Sequence, residues 1–276
     1  MSRYAIVADI HANLEALTAV LRFLENRAID RYAVCGDIVG YNANPNECVE
    51  TVRALNAVCV AGNHDALMVK DDPSFEHHEE TQRTLEWTRT NLSEDSLGFL
   101  RSLKLLRTVD GVCLTHATPM DPQEFYYVRA EPEPQGPADD HSRYVEDIFK
   151  VMQTKQIRLC FYGHSHVPLI HSQYEGDGYT FVTTERTFMT DAHHVFSLKT
   201  VFAGMPFMAA LVNVGSVGQP RDGNPHACAT IYDSERQFIQ QYRIPYDVHT
   251  AQRKIVAAGL PESQAQRLAG DATGVT

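Results

Sequence analysis

The chain has 276 residues, of which 43% are hydrophobic and 21% are charged, and its formal net charge at pH 7 is −11. This length can bury a substantial core, and the acidic balance argues against a general nucleic-acid-binding protein, which needs a basic surface. It does not exclude a phosphorylated small molecule, because bound cations can dominate the local field. The N-terminus carries no signal-peptide pattern and no apolar run approaches the roughly 20 residues that span a bilayer, so we expect a cytoplasmic protein without membrane contact.

The first sixty residues alternate strand-like and helix-like segments. Apolar runs at Tyr4 to Ala8, Tyr32 to Cys35 and Ala57 to Val60 are typical of buried parallel strands. Leucines at helical spacing predict a helix from Asn13 to Arg27, capped by Asn13. Pro45 suits the first position of a second helix that ends near Leu55. Strands that alternate with helices predict right-handed crossovers and a largely parallel sheet.

The middle of the chain combines a helix and a hairpin. A helix is predicted from about Glu79 to Asn91. Asp110-Gly111, between Lys104 to Val109 and Val112 to His116, is a strong signal for a β-hairpin turn. The six cysteines of the chain show no C-x-x-C spacing, so we expect small, buried, reduced thiols.

Residues 118 to 141 hold five prolines and the aromatic cluster Phe125-Tyr126-Tyr127, without periodicity. An irregular loop of this length is usually either a functional lid or disordered. The aromatic cluster and the position directly after His116 favour a lid, with a disordered insertion as the alternative. A helix from about Ser142 to Thr154 is predicted to follow.

The last hundred residues are β-rich and end in a helix. The predicted strands are Leu169 to Tyr174, Tyr179 to Thr183, Ala209 to Val214, Ala227 to Tyr232 and Phe238 to Arg243. The final helix, Asp247 to Ala258, ends before Gly259. Because no internal repeat or Gly/Ser linker divides the chain, we predict one domain over 1–276 with the insertion at 118–141, and we leave a homo-oligomer open.

Asp, His or Asn side chains follow five of the predicted strands, at the point where each strand ends. They are Asp9 and His11, then Asp37, Asn63, His116, and finally His164 with His166, which follow a fifth apolar run at Leu159 to Tyr162. Ligands bind at the carboxyl ends of strands in open α/β sheets, and independent polar turns would not all select such residues. Asp9 and His11 are two apart, so at an extended strand end both side chains point to one side. Nitrogen and oxygen donors without thiolate suit Mn, Fe, Co, Ni or Zn ions.

These residues fall into the motif order of the calcineurin-like metallophosphoesterases: D-x-H, G-D-x-x-G, G-N-H-[DE], a single H, and G-H-x-H. Here the blocks are Asp9 to His11, Gly36 to Gly40, Gly62 to Asp65, His116, and Gly163 to His166. The chain therefore resembles that superfamily, and within it looks most like small bacterial YfcE-type phosphodiesterases. The run Asn213 to Arg221 is also similar to that branch. The resemblance implies an α/β fold of four layers, αββα, with two mixed sheets flanked by helices.

The resemblance also implies two divalent transition-metal ions that share Asp37. One ion would have Asp9, His11, Asp37 and His166, and the other Asp37, Asn63, His116 and His164. In this family a metal-bridging hydroxide attacks the phosphorus of a small phosphodiester or phosphomonoester. The resemblance places His64 beside the leaving oxygen as general acid. Asp65 could orient His64 or cap a helix, and the sequence leaves both roles open.

Two further residues are candidates for substrate contact. Arg221 could pair with a phosphate oxygen, and Asn63 could face the substrate as well as a metal ion. One departure from the family matters: protein phosphatases and dinucleoside tetraphosphatases carry Asp-Arg immediately after the Val of the second block, where this chain has Gly40-Tyr41-Asn42. This difference argues against both activities. The alternative to a phosphoesterase is a non-catalytic metal-binding scaffold on the same fold, and the presence of His64 with every ligand favours the enzyme.

Overall fold

The computed structural model describes residues 2–70, 79–129, 142–176, 179–186, 193–199 and 204–270. The strands within these ranges are β1 (Arg3–Val7), β2 (Arg31–Cys35), β3 (Val58–Val60), β4 (Leu106–Val109), β5 (Val112–Thr115), β6 (Tyr127–Arg129), β7 (Ser142–Tyr144), β8 (Leu159–Tyr162), β9 (Leu169–Gly176), β10 (Tyr179–Arg186), β11 (His193–Ser197), β12 (Phe207–Asn213), β13 (Ala227–Asp233) and β14 (Phe238–Ile244). The helices are α1 (Leu14–Leu24), α2 (Pro45–Ala54), α3 (Asn63–Val69), α4 (Glu79–Asn91), α5 (Glu94–Ser102), α6 (Val145–Thr154), α7 (Val248–Ala257) and α8 (Glu262–Arg267).

Two six-stranded sheets form the centre of the molecule. Sheet A has the strand order β11-β14-β13-β1-β2-β3, and sheet B has the order β10-β9-β12-β8-β5-β4. Three adjacent strands in each sheet are parallel: β1, β2 and β3 in sheet A, and β12, β8 and β5 in sheet B. The other strands of both sheets pair antiparallel. Both sheets are therefore mixed, as predicted.

The pleat of β1 shows how the layers are built, because successive side chains of a strand point to opposite faces. Tyr4 and Ile6 are buried between the two sheets, where they join Phe161 of β8 in one apolar cluster. Ala5 points to the other face and joins Leu17 of α1 in a second cluster. Sheet A is thus covered by sheet B on one side and by helices on the other.

Helix α6 covers the outer face of sheet B. Its buried residues Ile148, Phe149 and Met152 pack against Cys160 of β8 and Leu211 of β12. The succession is helices, sheet A, sheet B and helix α6. This confirms the predicted four-layer αββα fold.

Several predicted elements agree closely with the structure. Helix α4 has the predicted bounds, helix α2 begins at Pro45 as expected, and Asp110-Gly111 joins the antiparallel strands β4 and β5. All six cysteines lie in the described residues, and all are buried and free. Among the residues that the structure describes, no helix combines the length and the hydropathy needed to cross a membrane.

Other elements differ from the prediction. Residues 142–144 are not helical but form β7, which pairs in parallel with β6 of the predicted lid. Strand β3 ends at Val60, before the predicted ligand Asn63, which is the first residue of helix α3. Sequence patterns also missed β11, α5 and α8. Residues 130–141 of the predicted lid lie outside the described residues, so the lid stays a prediction.

Candidate metal centre

Five of the seven predicted ligands have left-handed backbone conformations in the turns that follow the strands. Their φ angles are 52° at Asp9, 48° at His11, 53° at Asp37, 68° at His164 and 60° at His166. Such angles are uncommon for residues other than glycine, and strained positions cluster at functional sites. The prediction that Asp9 and His11 share one side of an extended strand end is therefore wrong. A left-handed turn brings both side chains to the cluster instead.

Backbone hydrogen bonds tie these turns together. The Asp9 amide donates to the Gly36 carbonyl at 3.0 Å, and the His11 amide donates to the Asp37 carbonyl at 2.9 Å. From the second half of the chain, the Ser216 hydroxyl donates to the Asp9 carbonyl at 2.9 Å. The ligand turns are thus held by the neighbouring turn and by the loop after β12.

The first donor set consists of Asp9, His11, Asp37 and His166. The Nε2 atoms of His11 and His166 lie 3.0 Å apart. His166 Nε2 is 3.4 Å from Asp9 Oδ1, and His11 Nε2 is 3.6 Å from Asp37 Oδ2. All four side chains are buried. The structure therefore brings together the four residues that the motif analysis assigned to one ion.

The second donor set consists of Asp37, Asn63, His116 and His164. Asn63 Oδ1 lies 3.0 Å from His116 Nε2 and 3.1 Å from His164 Nδ1, and these two nitrogens are 3.2 Å apart. His116 Nε2 is also 3.3 Å from Asp37 Oδ2, the same oxygen that approaches His11. Asp37 thus faces both donor sets through one carboxylate oxygen.

Three of the four cluster histidines have a backbone carbonyl against the outer ring nitrogen. His11 Nδ1 lies 3.1 Å from Val39 O, His116 Nδ1 lies 2.7 Å from Cys35 O, and His166 Nδ1 lies 2.6 Å from Gln219 O. A carbonyl only accepts, so each Nδ1 carries the proton and, in the neutral ring, Nε2 presents a lone pair to the cluster. Two such lone pairs 3.0 Å apart, on His11 and His166, cannot hydrogen-bond to each other. A cation satisfies both, and this carbonyl support is usual around metal-bound imidazoles.

Burial controls the protonation of the cluster. It lowers the pKa of His11 and His164 well below the usual value and also lowers that of His166, which favours neutral imidazoles. For His116, burial lowers the pKa, but Asp37 and further partners outweigh it and raise the pKa to about 9. For Asp37, burial raises the pKa, but the surrounding histidines outweigh it and hold the pKa well below the usual value. The ionised Asp37 carboxylate therefore favours positive charge at the centre.

Nearby thiols do not add to the donors. Cys35 lies directly before the second ligand turn, and burial raises its pKa well above the usual value, so the thiol stays protonated. A protonated thiol is a poor metal ligand. Buried Asp and His donors with one Asn amide oxygen fit first-row transition-metal ions, which agrees with the expectation from the sequence.

His64 reaches the same cluster from the first turn of α3. Its ring centroid lies 4.8 Å from that of His11 and 4.4 Å from that of Tyr41. A ring nitrogen of His64 is also within 4.8 Å of donor atoms on His11 and Asp37. The structure places His64 beside the first donor set, as a proton donor to a bound ester would need to be. Its role as general acid stays a prediction.

Asp65 supports the turns through its carboxylate. Oδ1 accepts hydrogen bonds from the amides of Ile38 at 2.9 Å and Val39 at 3.2 Å, and Oδ2 accepts one from the amide of Gly62 at 3.0 Å. Burial, followed by the charge of Asp37, raises the pKa of Asp65 to about 7. These contacts favour the capping role that the sequence left open over the orientation of His64.

Arg221 lies beside the donor sets although it follows β12 by eight residues. Its Nη2 atom is 3.2 Å from Gln219 Oε1 and 3.4 Å from the Tyr41 hydroxyl. Its positive charge contributes to the lowered pKa of His11, His164 and His166. The expectation that this arginine is near a bound phosphate agrees with its position, and the contact itself stays a prediction.

The described part of the predicted lid contacts the second donor set. Phe125 is buried, and its ring centroid lies 5.8 Å from that of His116 and 6.4 Å from that of His164. The Tyr127 ring stacks on the His164 ring at 4.3 Å and is 42% exposed. Two residues of the aromatic cluster thus border the candidate centre.

Sequence reasoning assigned no supporting role to the loop after β12. The Asn213 amide donates to the Gly163 carbonyl at 2.6 Å, which positions the turn of His164. The Gln219 carbonyl fixes the His166 ring. The sequence signal that could have indicated this supporting role is the Gly- and Ser-rich run that directly follows strand β12.

The glycines of the motif blocks have two different functions. Gly36 and Gly40 have φ angles of 85° and 94°, as expected for tight turns. All four also allow a close approach: an added Cβ would lie 2.0 Å from Asp37 Oδ1 at Gly62, 2.3 Å from Asp9 Oδ2 at Gly163, 2.6 Å from Gly62 N at Gly36 and 2.5 Å from His64 Nδ1 at Gly40.

Comparison with known proteins agrees with this geometry. The model of the calcineurin-like phosphoesterase superfamily domain matches residues 3–236. The chain belongs to this superfamily. It is 35% identical over 271 residues to the uncharacterised protein MJ0912 of Methanocaldococcus jannaschii, and the alignment covers 97% of each chain.

A solved structure from the superfamily shows the same fold. A metallophosphoesterase from Sphaerobacter thermophilus is 29% identical and has a TM-score of 0.75, with 98% of each chain covered. The YfcE phosphoesterase of E. coli also matches, at 17% identity and a TM-score of 0.39, covering 88% of this chain and 100% of its own. The family model confirms the membership that was predicted from five motif blocks.

Proposed function

We propose that this protein is a dinuclear-metal-dependent phosphoesterase that hydrolyses small phosphodiesters or phosphomonoesters. The observation that carries the proposal is the position of Asp37 Oδ2, which lies 3.6 Å from His11 Nε2 and 3.3 Å from His116 Nε2. One carboxylate oxygen is thereby common to two donor sets, which supports a site for two neighbouring ions. Superfamily membership supports metal-dependent phosphoester chemistry in general.

The bound ions would supply a water of lowered pKa and neutralise phosphoryl oxygens during an in-line displacement. The residues of the chain hold the ions and handle the leaving group. His64 would give its proton to the leaving alkoxide, because its ring lies beside the first donor set without being one of the four ligands. Asn63 would hold the second ion while its amide nitrogen faces the ester.

The substrate is proposed to be small and phosphorylated, and not a nucleic acid, because the formal net charge of −11 would repel a polyanion. Mn, Fe, Co, Ni and Zn all suit the donors, so the native metals are to be identified by assay. A cytoplasmic location and a homo-oligomeric state stay predictions.

The two-ion proposal predicts a stoichiometry of two metal ions per chain. Protein purified without chelator and reconstituted separately with Mn, Co, Ni and Zn is analysed by elemental analysis. The same samples are assayed with p-nitrophenyl phosphate, bis-p-nitrophenyl phosphate and 2′,3′-cyclic nucleotides. We expect two ions per chain and hydrolysis of at least one substrate with at least one metal.

Asp37→Asn is the matched variant, since it keeps the shape of the side chain and removes the charge that faces both sets. We expect it to lower the metal content and to abolish hydrolysis. A content of one ion or less in wild type, unchanged by Asp37→Asn, would contradict the two-ion site. Two bound ions without hydrolysis under any condition would instead favour the non-catalytic scaffold.

A further inference from the structure

The cationic side chain of Arg221 lies beside the candidate metal centre. Arg221 is partly buried, and its main neighbours are the phenols of Tyr41 and Tyr127 and the amide oxygen of Gln219. The Arg221 charge acts on His11 and His166 of the first donor set and on His164 of the second. The hydrogen-bond partners of the guanidinium are therefore neutral, and the Asp9 carboxylate of the first donor set acts on it through its charge, without a described hydrogen bond.

The hydrogen bonds to these neighbours do not use every N–H group of the Arg221 guanidinium. A guanidinium has five N–H donors in a planar fork. Arg221 uses Nη2 toward Gln219 and Tyr41, and a further side-chain hydrogen bond joins it to Tyr127. Arg243 differs, because it is paired with the carboxylate of Asp222. Neutral partners orient Arg221 without neutralising it, which is suitable for binding an anion.

The two classes of ester differ in how many charged oxygens need a partner. A phosphodiester has two non-bridging oxygens, and two ions that share Asp37 can take one each. A phosphomonoester has a third non-bridging oxygen and a second negative charge. This third oxygen needs a further cationic donor, and bidentate guanidinium contacts to phosphate are strong.

We propose that Arg221 binds the third phosphoryl oxygen and makes the centre selective for phosphomonoesters over phosphodiesters. This inference rests on the proposed two-ion function and narrows its substrate class. Tyr41 and Tyr127 are positioning residues in this account: Tyr41 directs the guanidinium through its hydroxyl, and Tyr127 confines it from the side of His164. Arginine is required because lysine offers a point charge without the fork.

The test compares Arg221→Gln and Arg221→Lys with wild type on p-nitrophenyl phosphate and bis-p-nitrophenyl phosphate, which share a leaving group. We expect kcat/KM for the monoester to fall about 10²-fold or more and that for the diester to fall by less than about tenfold. Arg236→Gln is the matched control for charge, since Arg236 is exposed in the turn between β13 and β14. Equal losses on both esters would overturn the proposal.

A binding measurement gives a readout that does not depend on turnover. Isothermal titration calorimetry measures the affinity of the metal-loaded protein for inorganic phosphate. Both Arg221 variants should bind phosphate about tenfold or more weakly than wild type does. Dimethyl phosphate, the control, should bind wild type and variants with the same affinity. Unchanged phosphate affinity would overturn the proposal. If wild type hydrolyses neither ester, the proposed function fails, and the phosphate titration still decides the role of Arg221.

The positioning role is tested by a double-mutant cycle. Tyr41→Phe alone should raise KM for the monoester. In the Arg221→Gln background the same substitution should not change KM further. Independent, additive effects of the two substitutions would show that Tyr41 does not act through Arg221 and would overturn that part of the proposal.

Discussion

At the scale of single residues, the centre depends on side chains that are each held by a second, nearby group. Backbone carbonyls fix the rings of His11, His116 and His166. The Asp65 carboxylate accepts hydrogen bonds from three backbone amides. His64 has a different setting, between the rings of His11 and Tyr41. It is therefore the residue of the cluster whose removal should change chemistry while leaving both donor sets complete.

His64→Ala should keep both metal ions bound and slow turnover by about 10²–10⁴-fold, the usual contribution of general acid catalysis. The loss should be largest for an alkyl phosphate and small for p-nitrophenyl phosphate, because p-nitrophenolate leaves with little need of a proton. Metal content and kcat on both substrates are measured for each protein.

His64→Asn is the companion variant, because a buried ring is replaced by a smaller polar group with less loss of volume than in alanine. It should show the same dependence on the leaving group. Equal losses on the two substrates, or loss of a metal ion, would contradict the role of proton donor.

At the scale of elements, the donors converge because strands β2 and β3 end side by side and their turns nearly touch. Gly62 is the point of closest approach, where an added Cβ would lie 2.0 Å from Asp37 Oδ1 and 2.4 Å from the Asp37 backbone nitrogen. Its φ of −93° is accessible to any residue. The requirement for glycine is therefore steric, and it comes from the neighbouring turn.

Gly62→Ala should destabilise the fold by at least about 1–3 kcal/mol, the usual range for overpacking, and should weaken metal binding by displacing Asp37. Gly98→Ala is the control, since Gly98 lies inside α5 and an added Cβ would meet nothing within 4 Å. That control should stabilise by about 0.5–1 kcal/mol. Denaturant unfolding and metal titration measure both effects, and a Gly62→Ala protein with wild-type metal affinity would refute the steric account.

At the scale of the whole molecule, the centre joins the two sheets. Asp9 and Asp37 follow strands of sheet A, whereas His116 and His164 follow strands of sheet B. Ions bound at this centre would therefore connect turns from both sheets. Any ligand that binds only the folded state stabilises it by mass action.

Metal removal should accordingly lower the Tm. At a free metal concentration 100 times the Kd, one site adds about 2.7 kcal/mol of stability, and chelation with EDTA should remove it. In Asp37→Asn the difference between metal-loaded and chelated protein should be much smaller. A wild-type Tm that does not change on chelation, although elemental analysis shows metal bound beforehand, would contradict a centre that joins the sheets.

The sequence by itself determined the elements of the centre that are local. Each ligand lies within a few residues of the end of an apolar strand run, and most lie in a short block such as Asp9 to His11 or Gly163 to His166, so the sequence pattern shows them without knowledge of the fold. Apolar runs, helical spacing and turn residues likewise predicted most elements, because those signals depend on near neighbours.

The tertiary structure decided what depends on distant partners. The left-handed turns at Asp9 and His11 follow from hydrogen bonds to the next turn, and strand β7 follows from pairing with β6. The Tyr41–Arg221 contact joins residues 180 positions apart. No local pattern encodes such a contact, because it forms only when the loop after β12 packs against the turn after β2.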